Sequence, residues 1–302
     1  MAAMSPQPEG SMNLAPLACA RAAGLGALVA AIALVAVSAQ PARAQGKVEA
    51  SYRATLAGIP IGYGTWIIDI GPKQYAGAAS GRASGLVRVL VSGEGSSTVR
   101  GIIKQGRLVP SSFAADIHSY ESYDIRMEMS GGNVKSLKNE PPIIESPDRV
   151  PLTDKHQRGI LDPMTALMIT VPGKGELISS EACQAKLPIF DGRQRFDLTL
   201  SFRRIDAVES EKGYRGPAVV CNASYVPIAG HRPGRFAIRY LQETRDIEIW
   251  LAPIAGTRVL IPYRVSIPTL FGNAILQATQ FESEAQAPTR ATNPPEHPAR
   301  GS

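Results

Sequence analysis

The stretch YDIRMEM, residues 123–129, alternates Tyr123, Ile125, Met127 and Met129 with Asp124, Arg126 and Glu128. Successive side chains of a strand point to opposite faces, so this period of two gives one apolar row and one charged row. Such a segment is stable as a half-buried antiparallel strand with one wet face. The same pattern fills most of the chain. KVEASYRATLAGIPIGYGTWIIDI reads as two strands joined across Gly58–Gly62. RDIEIWLAP and GTRVLIPYRVSIP read as a late hairpin, and FGNAILQATQF as the last strand. Many one-sided strands in one chain must close their apolar faces on each other. The expected fold is therefore mainly β: a single curved antiparallel sheet or partly open β-barrel, with one or two short helices packed in the concave face.

Helical patterning is scarce. The best case is LDPMTALMITV, where Asp162 is a natural N-cap and Pro163 takes the first helical position, where a missing N–H costs nothing. Leu161, Met164, Leu167 and Met168 then share one face. A helix this short holds only when that face packs on something, and an open concave sheet is the expected partner. GLVRVLVSG, residues 85–93, fits a short helix or an apolar strand equally. The polar, proline-rich residues 138–159 read as a long surface loop within one domain.

The two ends differ from the middle. Residues 1–44 carry Arg21, an apolar run from Ala22 to Ala39, and Ala42-Arg43-Ala44, the zones of a secretory signal peptide with Gln45 as the first mature residue. Translation from Met1 and from Met12 both fit. A retained membrane anchor competes, but the run is short and rich in Ala and Gly for a permanent span. Cys19 precedes the apolar run, so it is no lipoprotein acceptor. Residues 284–302 are rich in Pro, Ala and Thr and read as a disordered tail. The β-rich envelope domain is then 45–283. Removing the leader takes Arg21, Arg43 and Glu9 from 32 basic and 26 acidic residues and leaves a mild basic excess. No run of Lys or Arg marks a nucleic-acid site.

The mature chain keeps two cysteines, Cys183 and Cys221. An even pair in an exported protein favours a disulfide over a metal site or two buried thiols. The spacing is not C-x-x-C, so thiol exchange chemistry is not expected. A bond across 38 residues, folding the later strand back beside Cys183, would staple the hairpin region. In the chain-entropy model it removes roughly 3–4 kcal/mol of unfolded-state freedom.

LPIFDGRQRFDLTLSF, residues 187–202, concentrates charge: Asp191, Arg193, Arg195 and Asp197, with Arg203 just beyond. Asp191-Gly192 matches the centre of a type I′ hairpin turn, in which both residues need positive φ. Beyond it, Phe196, Leu198, Leu200 and Phe202 alternate with the charges, which predicts weak surface pairs opposite an apolar face. The four histidines, His118, His156, His231 and His297, have no metal-ligand spacing, and no G-x-S-x-G is present. His231, in a Gly/Pro loop with Arg232 and Arg235, is the one candidate worth naming. No catalytic residue, metal or cofactor is expected.

ILDPMTALM, PIFDGRQRFDLTLSF and YLQETRDIEIWLAP together resemble the exported bacterial proteins grouped as domain of unknown function 3108. The Asp-Pro-x-(Ser/Thr)-Ala-Leu helix and the Phe-Asp-Gly-(Lys/Arg) hairpin are the most recognisable pieces. The resemblance implies an envelope β-sheet domain, a partly open barrel similar to periplasmic lipoprotein carriers, with no known activity. With it, Met127, Met129, Met164, Leu167 and Met168 form a candidate groove of adaptable side chains, though the same residues would also serve as plain core. The functional expectation is a periplasmic, non-enzymatic binding or structural protein of the cell envelope. It would hold a lipid-like ligand or an envelope protein, and touch the membrane only transiently or at its periphery. The alternative is an enzyme acting on cell-envelope material. N-terminal sequencing of protein recovered from periplasm should begin at Gln45; a retained leader would make the protein a membrane-anchored one.

Overall fold

The computed structural model describes residues 45–84, 93–119 and 122–286. Residues 1–44, expected to be a leader, nearly all of 85–93 and residues beyond 286 lie outside the described residues. Fifteen described strands belong to one sheet. The first seven form a meander: β1 (Gly46–Leu56), β2 (Ile59–Ile70), β3 (Gln74–Ala83), β4 (Glu94–Lys104), β5 (Arg107–His118), β6 (Tyr123–Ser130) and β7 (Asn133–Glu140). Helix α1 (Pro163–Ala166) and the two-residue β8 (Ile169–Thr170) follow. Next come β9 (Lys186–Phe190), β10 (Arg195–Glu209), β11 (Lys212–Gly213) and β12 (Arg215–Ala229). Helix α2 (Phe236–Glu243) and strands β13 (Ile247–Pro253), β14 (Val259–Thr269) and β15 (Gly272–Ala285) complete the chain. The sheet runs β7-β6-β5-β4-β3-β2-β1-β15-β14-β13-β12-β10-β9, with β11 beside β15 and β8 beside β14. Every ladder is antiparallel except β11–β15. Pairing of β1 with β15, from Gly46↔Ala285 to Leu56↔Ala274, fuses the two meanders through the ends of the domain. The last strand thus keeps its ladder two residues past Ser283, where patterning put the domain edge.

The tight turns obey backbone chemistry. Ala57-Gly58, Gln105-Gly106 and Gly131-Gly132 have positive φ at both residues and join strands directly, the twist-compatible two-residue turn. The first of these replaces the longer Gly58–Gly62 connection expected from sequence, so Ile59–Gly62 already belongs to β2.

The sheet coils until β7 and β9 face each other, yet these strands do not pair. The segment Arg158–Leu161 fills the seam. On one side Asn133 bridges to Arg158 and the Ile160 N–H donates to Gly132 O at 2.8 Å. On the other, the Leu161 N–H donates to Pro188 O at 2.8 Å and the Phe190 N–H to Leu161 O at 2.9 Å. The chain then turns inward as α1. Asp162 is fully buried, and its Oδ1 accepts from the N–H groups of Met164 and Thr165, both at 2.9 Å. The Tyr75 and Thr165 hydroxyls pair at 2.7 Å and tie the helix to β3.

The helix is shorter than LDPMTALMITV suggested. It ends at Ala166, because Ile169 and Thr170 find a backbone partner in β14 and leave the helix to pair with it. The loop 138–159 is also shorter, since β7 runs on to Glu140. Helix α2 was not foreseen. Its sequence, FAIRYLQE, follows Pro233-Gly234 and carries apolar residues three apart.

Two cores result. Inside the barrel, Val48, Trp66, Ile68, Tyr75, Phe113, Met127, Met129, Met164, Met168, Val220, Ile261 and Phe281 pack together. Outside it, Ile169, Val171, Ala182 and Cys183 cover Leu200, Val219, Cys221, Ile249 and Leu251. Strand β12 is therefore buried on both faces: Ala218 and Val220 point in, Val219 and Cys221 out. This explains its unbroken apolar run. Cys183 and Cys221 are bonded, with Cα atoms 5.4 Å apart. The bond does not flank the hairpin, because β10 lies between β9 and β12. It instead clamps the covering excursion onto the outer face of β12.

Two outcomes follow. The mature protein, denatured without reductant, should show no thiol that can be labelled. Asp162 gives a pH signature: burial raises its carboxyl to about 6, against the two backbone hydrogen bonds that favour the charged form. An unfolded aspartate titrates near 4. Between those values the native state binds the extra proton, so this group's contribution is full below about pH 4 and is lost as pH rises through about 6. Asp162→Asn keeps the cap acceptor and removes the titration. Denaturant melts from pH 4 to 7 should show wild type losing on the order of 2–3 kcal/mol relative to the variant. Parallel curves would refute the assignment.

Candidate functional site

The register aligns interior residues in cross-strand rows. One row runs Ile68↔Gly77↔Val99↔Phe113↔Met127 from β2 to β6. It is filled by the helix: a Cβ on Gly77 would lie 3.4 Å from Met164 Cε and 3.1 Å from Val99 Cγ1. A second filled row has the Tyr75 ring lying over Gly101, where a Cβ would come within 2.4 Å of it. The row on the other side of Gly77 is Trp66↔Ala79↔Ser97↔Ala115↔Ile125. Its three middle residues are small, and Met164, Leu167 and the α2 residues Ala237 and Ile238 line the space beside them without filling it. The result is a cleft of about 1010 Å³. Phe113, Ile117, Tyr123 and Ile144 extend its apolar wall, and Met164 and Leu167 form its inner end.

The rim has the opposite character. Arg149, Arg193, Arg232 and Arg235 all line the cleft, with His231, Gln194 and the single carboxylate Asp191. Three loops deliver them. Residues 149–150 run beside 230–231, with the Val150 N–H on His231 O at 2.9 Å and the Gly230 N–H on Val150 O at 2.8 Å. Gly230, at φ +77°, lets the Arg193 carbonyl approach to where a Cβ would be 2.2 Å away. Arg149 Nε donates to Gly230 O at 2.6 Å. The Arg193 guanidinium lies 4.8 Å from the centre of the Tyr123 ring, a stabilising cation–π distance. Arg193 Nη1, Arg232 Nε and Trp66 Nε1 are buried without a hydrogen-bond partner among the described residues.

Asp191 does not act as a type I′ turn residue. Phe190 pairs with Arg195 across a four-residue loop, closed by the Asp191 N–H on Gln194 O at 3.1 Å. Asp191 Oδ1 accepts from the N–H groups of Arg193 at 2.7 Å and Gln194 at 2.6 Å. The aspartate shapes the loop by its side chain. Gly192, at φ +93°, is the residue that needs the left-handed backbone; it also packs where a Cβ would be 2.6 Å from Ile125 Cγ2. Burial raises the Asp191 carboxyl, opposed by those two hydrogen bonds and by Arg193. Burial lowers Arg149, and its neighbours Arg193 and Arg232 lower it further. Burial also lowers His231.

Of the residues singled out from sequence, Pro163, Met164, Leu167, Asp191 and His231 line the cleft. Met127, Met129 and Met168 lie in the surrounding core. The charges of β10 lie elsewhere, but not as loose surface pairs. Asp197 is 7% exposed, held at 2.6 Å by Arg195, its neighbour along the same strand, and at 3.2 Å by Lys186. Arg203 pairs with Asp246 and Glu248, while Phe202 is 45% exposed. Phe202 keeps the outer face of Leu200, and alternation breaks only at the bulges, between Arg195 and Phe196 and between Phe202 and Arg204. The small residues of β3 and β4 were missed. QYAGAASGRA and EGSST are nearly free of large side chains, and two consecutive strands without bulk are the sequence signal of an unfilled interior.

A β-barrel-like protein of the domain of unknown function DUF1849 from Brucella abortus is similar in structure, with a TM-score of 0.43 and 11% identity. The match covers 80% of this chain and 99% of that one. No curated protein matches the sequence. The family described as protein of unknown function (DUF3108) matches residues 51–279, which is most of the chain, and the protein belongs to that family.

Proposed function

We propose that the protein is an exported, non-enzymatic binding protein of the bacterial cell envelope, working in the periplasm and holding the apolar part of a lipid-like ligand. The observation that carries this reading is the row Ala79, Ser97, Ala115. These residues border a cleft of about 1010 Å³, whereas the rows at Gly77 and Gly101 are filled by Met164 and Tyr75. Protein interiors normally close such space, and apolar clefts of roughly 300–1,000 Å³ are the usual size of small-molecule sites. Met164 and Leu167 at the inner end are flexible enough to fit chains of different shape. The Cys183–Cys221 bond is compatible with an oxidising compartment.

Native mass spectrometry of protein purified from periplasm tests the reading. Wild type should carry a bound lipid-like species. Ala115→Phe points a ring into the cleft and should cut its occupancy roughly tenfold or more, with a melting curve close to wild type. Wild type without any bound species, or an Ala115→Phe variant with undiminished occupancy, would end the proposal.

A further inference from the structure

We infer that the ligand carries an anionic oxygen headgroup, a phosphate or carboxylate, held at the cleft rim by Arg149, Arg193 and Arg232 with Arg235 beside them. The inference rests on the reading of the cleft as a lipid-like site and adds the chemistry of the exposed end. The first argument is the imbalance of charge. Four guanidinium groups line this rim, against Asp191 within the lining and Asp148, which pairs with Arg232 from just outside it. Oδ1 of Asp191 already accepts from two backbone N–H groups.

Other arginines of the fold are matched differently. Arg204 lies against Asp206 and Glu248, Arg203 against Asp246 and Glu248, Arg195 against Asp197, and Arg126 against Asp116. At the rim, Arg149 Nε faces a backbone carbonyl and Arg193 stacks on a ring. Arg232 has a looser ion pair, its Nε 3.5 Å from the exposed Asp148 and not hydrogen-bonded to it. Crowding like charges in a part-buried place is unfavourable until an anion joins them.

The second argument is unused donor capacity. Arg193 Nη1 and Arg232 Nε are buried at this rim without hydrogen-bond partners among the described residues. Leaving buried N–H groups unpaired is costly, and a guanidinium fork matches the paired oxygens of carboxylate or phosphate. The third argument is preorganisation. Tyr123 holds Arg193, and Gly230 O holds Arg149. Tyr123 sits at the edge of the apolar floor, paired with Ile117. An acyl chain lying on Ala79, Ser97 and Ala115 would place its head among these arginines.

Binding of matched probes to the mature protein separates the possibilities, read by calorimetry or Trp66 fluorescence. The probes are hexadecyl phosphate, hexadecanoate, hexadecanol and inorganic phosphate. Hexadecyl phosphate and hexadecanoate should bind about tenfold or more tightly than hexadecanol, and inorganic phosphate far more weakly than either. Arg193→Gln with Arg232→Gln should narrow the gap between hexadecyl phosphate and hexadecanol by about tenfold. Should that protein fail to fold, Arg232→Gln alone, at the partly exposed position, carries the same comparison with a smaller narrowing. Equal affinity for hexadecanol and hexadecyl phosphate would overturn the anionic headgroup and leave the apolar cleft standing. Inorganic phosphate competing as well as hexadecyl phosphate would replace the amphiphile with a bare-anion site. If no chain-bearing probe binds, the reading of the cleft falls, and the headgroup with it.

Discussion

The seam between β7 and β9 governs the architecture. A coiled sheet that stops short of closure leaves two rows of unpaired backbone groups, which are costly when buried and adhesive when exposed. Here one extended segment, Arg158–Leu161, bonds to both sides. Because this segment is already inside the seam, the chain that follows has one direction to go, into the barrel. Asp162 makes that turn possible by satisfying two N–H groups that would otherwise be buried without partners. Closure, plug and cleft depth are therefore one arrangement. The helix fills the Gly77 row because the seam delivers it there, and the next row stays open for the same reason.

The two halves of the barrel are built to different standards. In the second half, the excursion from Ile169 covers the outer face, so the middle of β12, Ala218–Cys221, and most of β13 are dry on both sides. In the first half, β2 to β6 present a single buried face, and their other face is exposed, including Ile59, Tyr63 and Ile67 of β2. The cleft is floored by this thinner half. Its rim comes from loops attached to the thicker half, where β9, β10 and β12 hold Arg193 and the 230–235 turn in place. A mouth anchored on a two-sided wall keeps its charges in register above a floor of small side chains.

How far this could be read from sequence follows from the range of each interaction. YDIRMEM, the Asp162-Pro163 start and the late hairpin depend on near neighbours, and the pattern carried them. The length of α1 depended on β14, some 90 residues away, so local periodicity overshot it. Asp191-Gly192 looked like a turn centre because the dipeptide is shared by two turn chemistries. The longer loop occurs here, since Gly192 must pass close to Ile125 on the far side of the seam. The arginine rim was hidden for the same reason. Arg149, Arg193 and Arg232 are separated widely in the chain; pairing of Arg195 with Ala229 brings Arg193 beside Gly230, and pairing of 149–150 with 230–231 adds Arg149. His231 drew notice as a lone loop histidine, but its partners could not be counted without the fold.

The clamp on β12 has a consequence for how the protein meets reducing agents. Both cysteines are 0% exposed, sealed beneath the very excursion they secure. A thiolate must approach a sulfur directly to exchange with it, so the intact domain offers no point of attack. Reduction has to wait for the Ile169–Ala185 flap to lift, and its rate in native conditions measures that local opening. The bond therefore doubles as a built-in clock on the opening of the thick wall, and an opening confined to the thin wall around the cleft would not register on it.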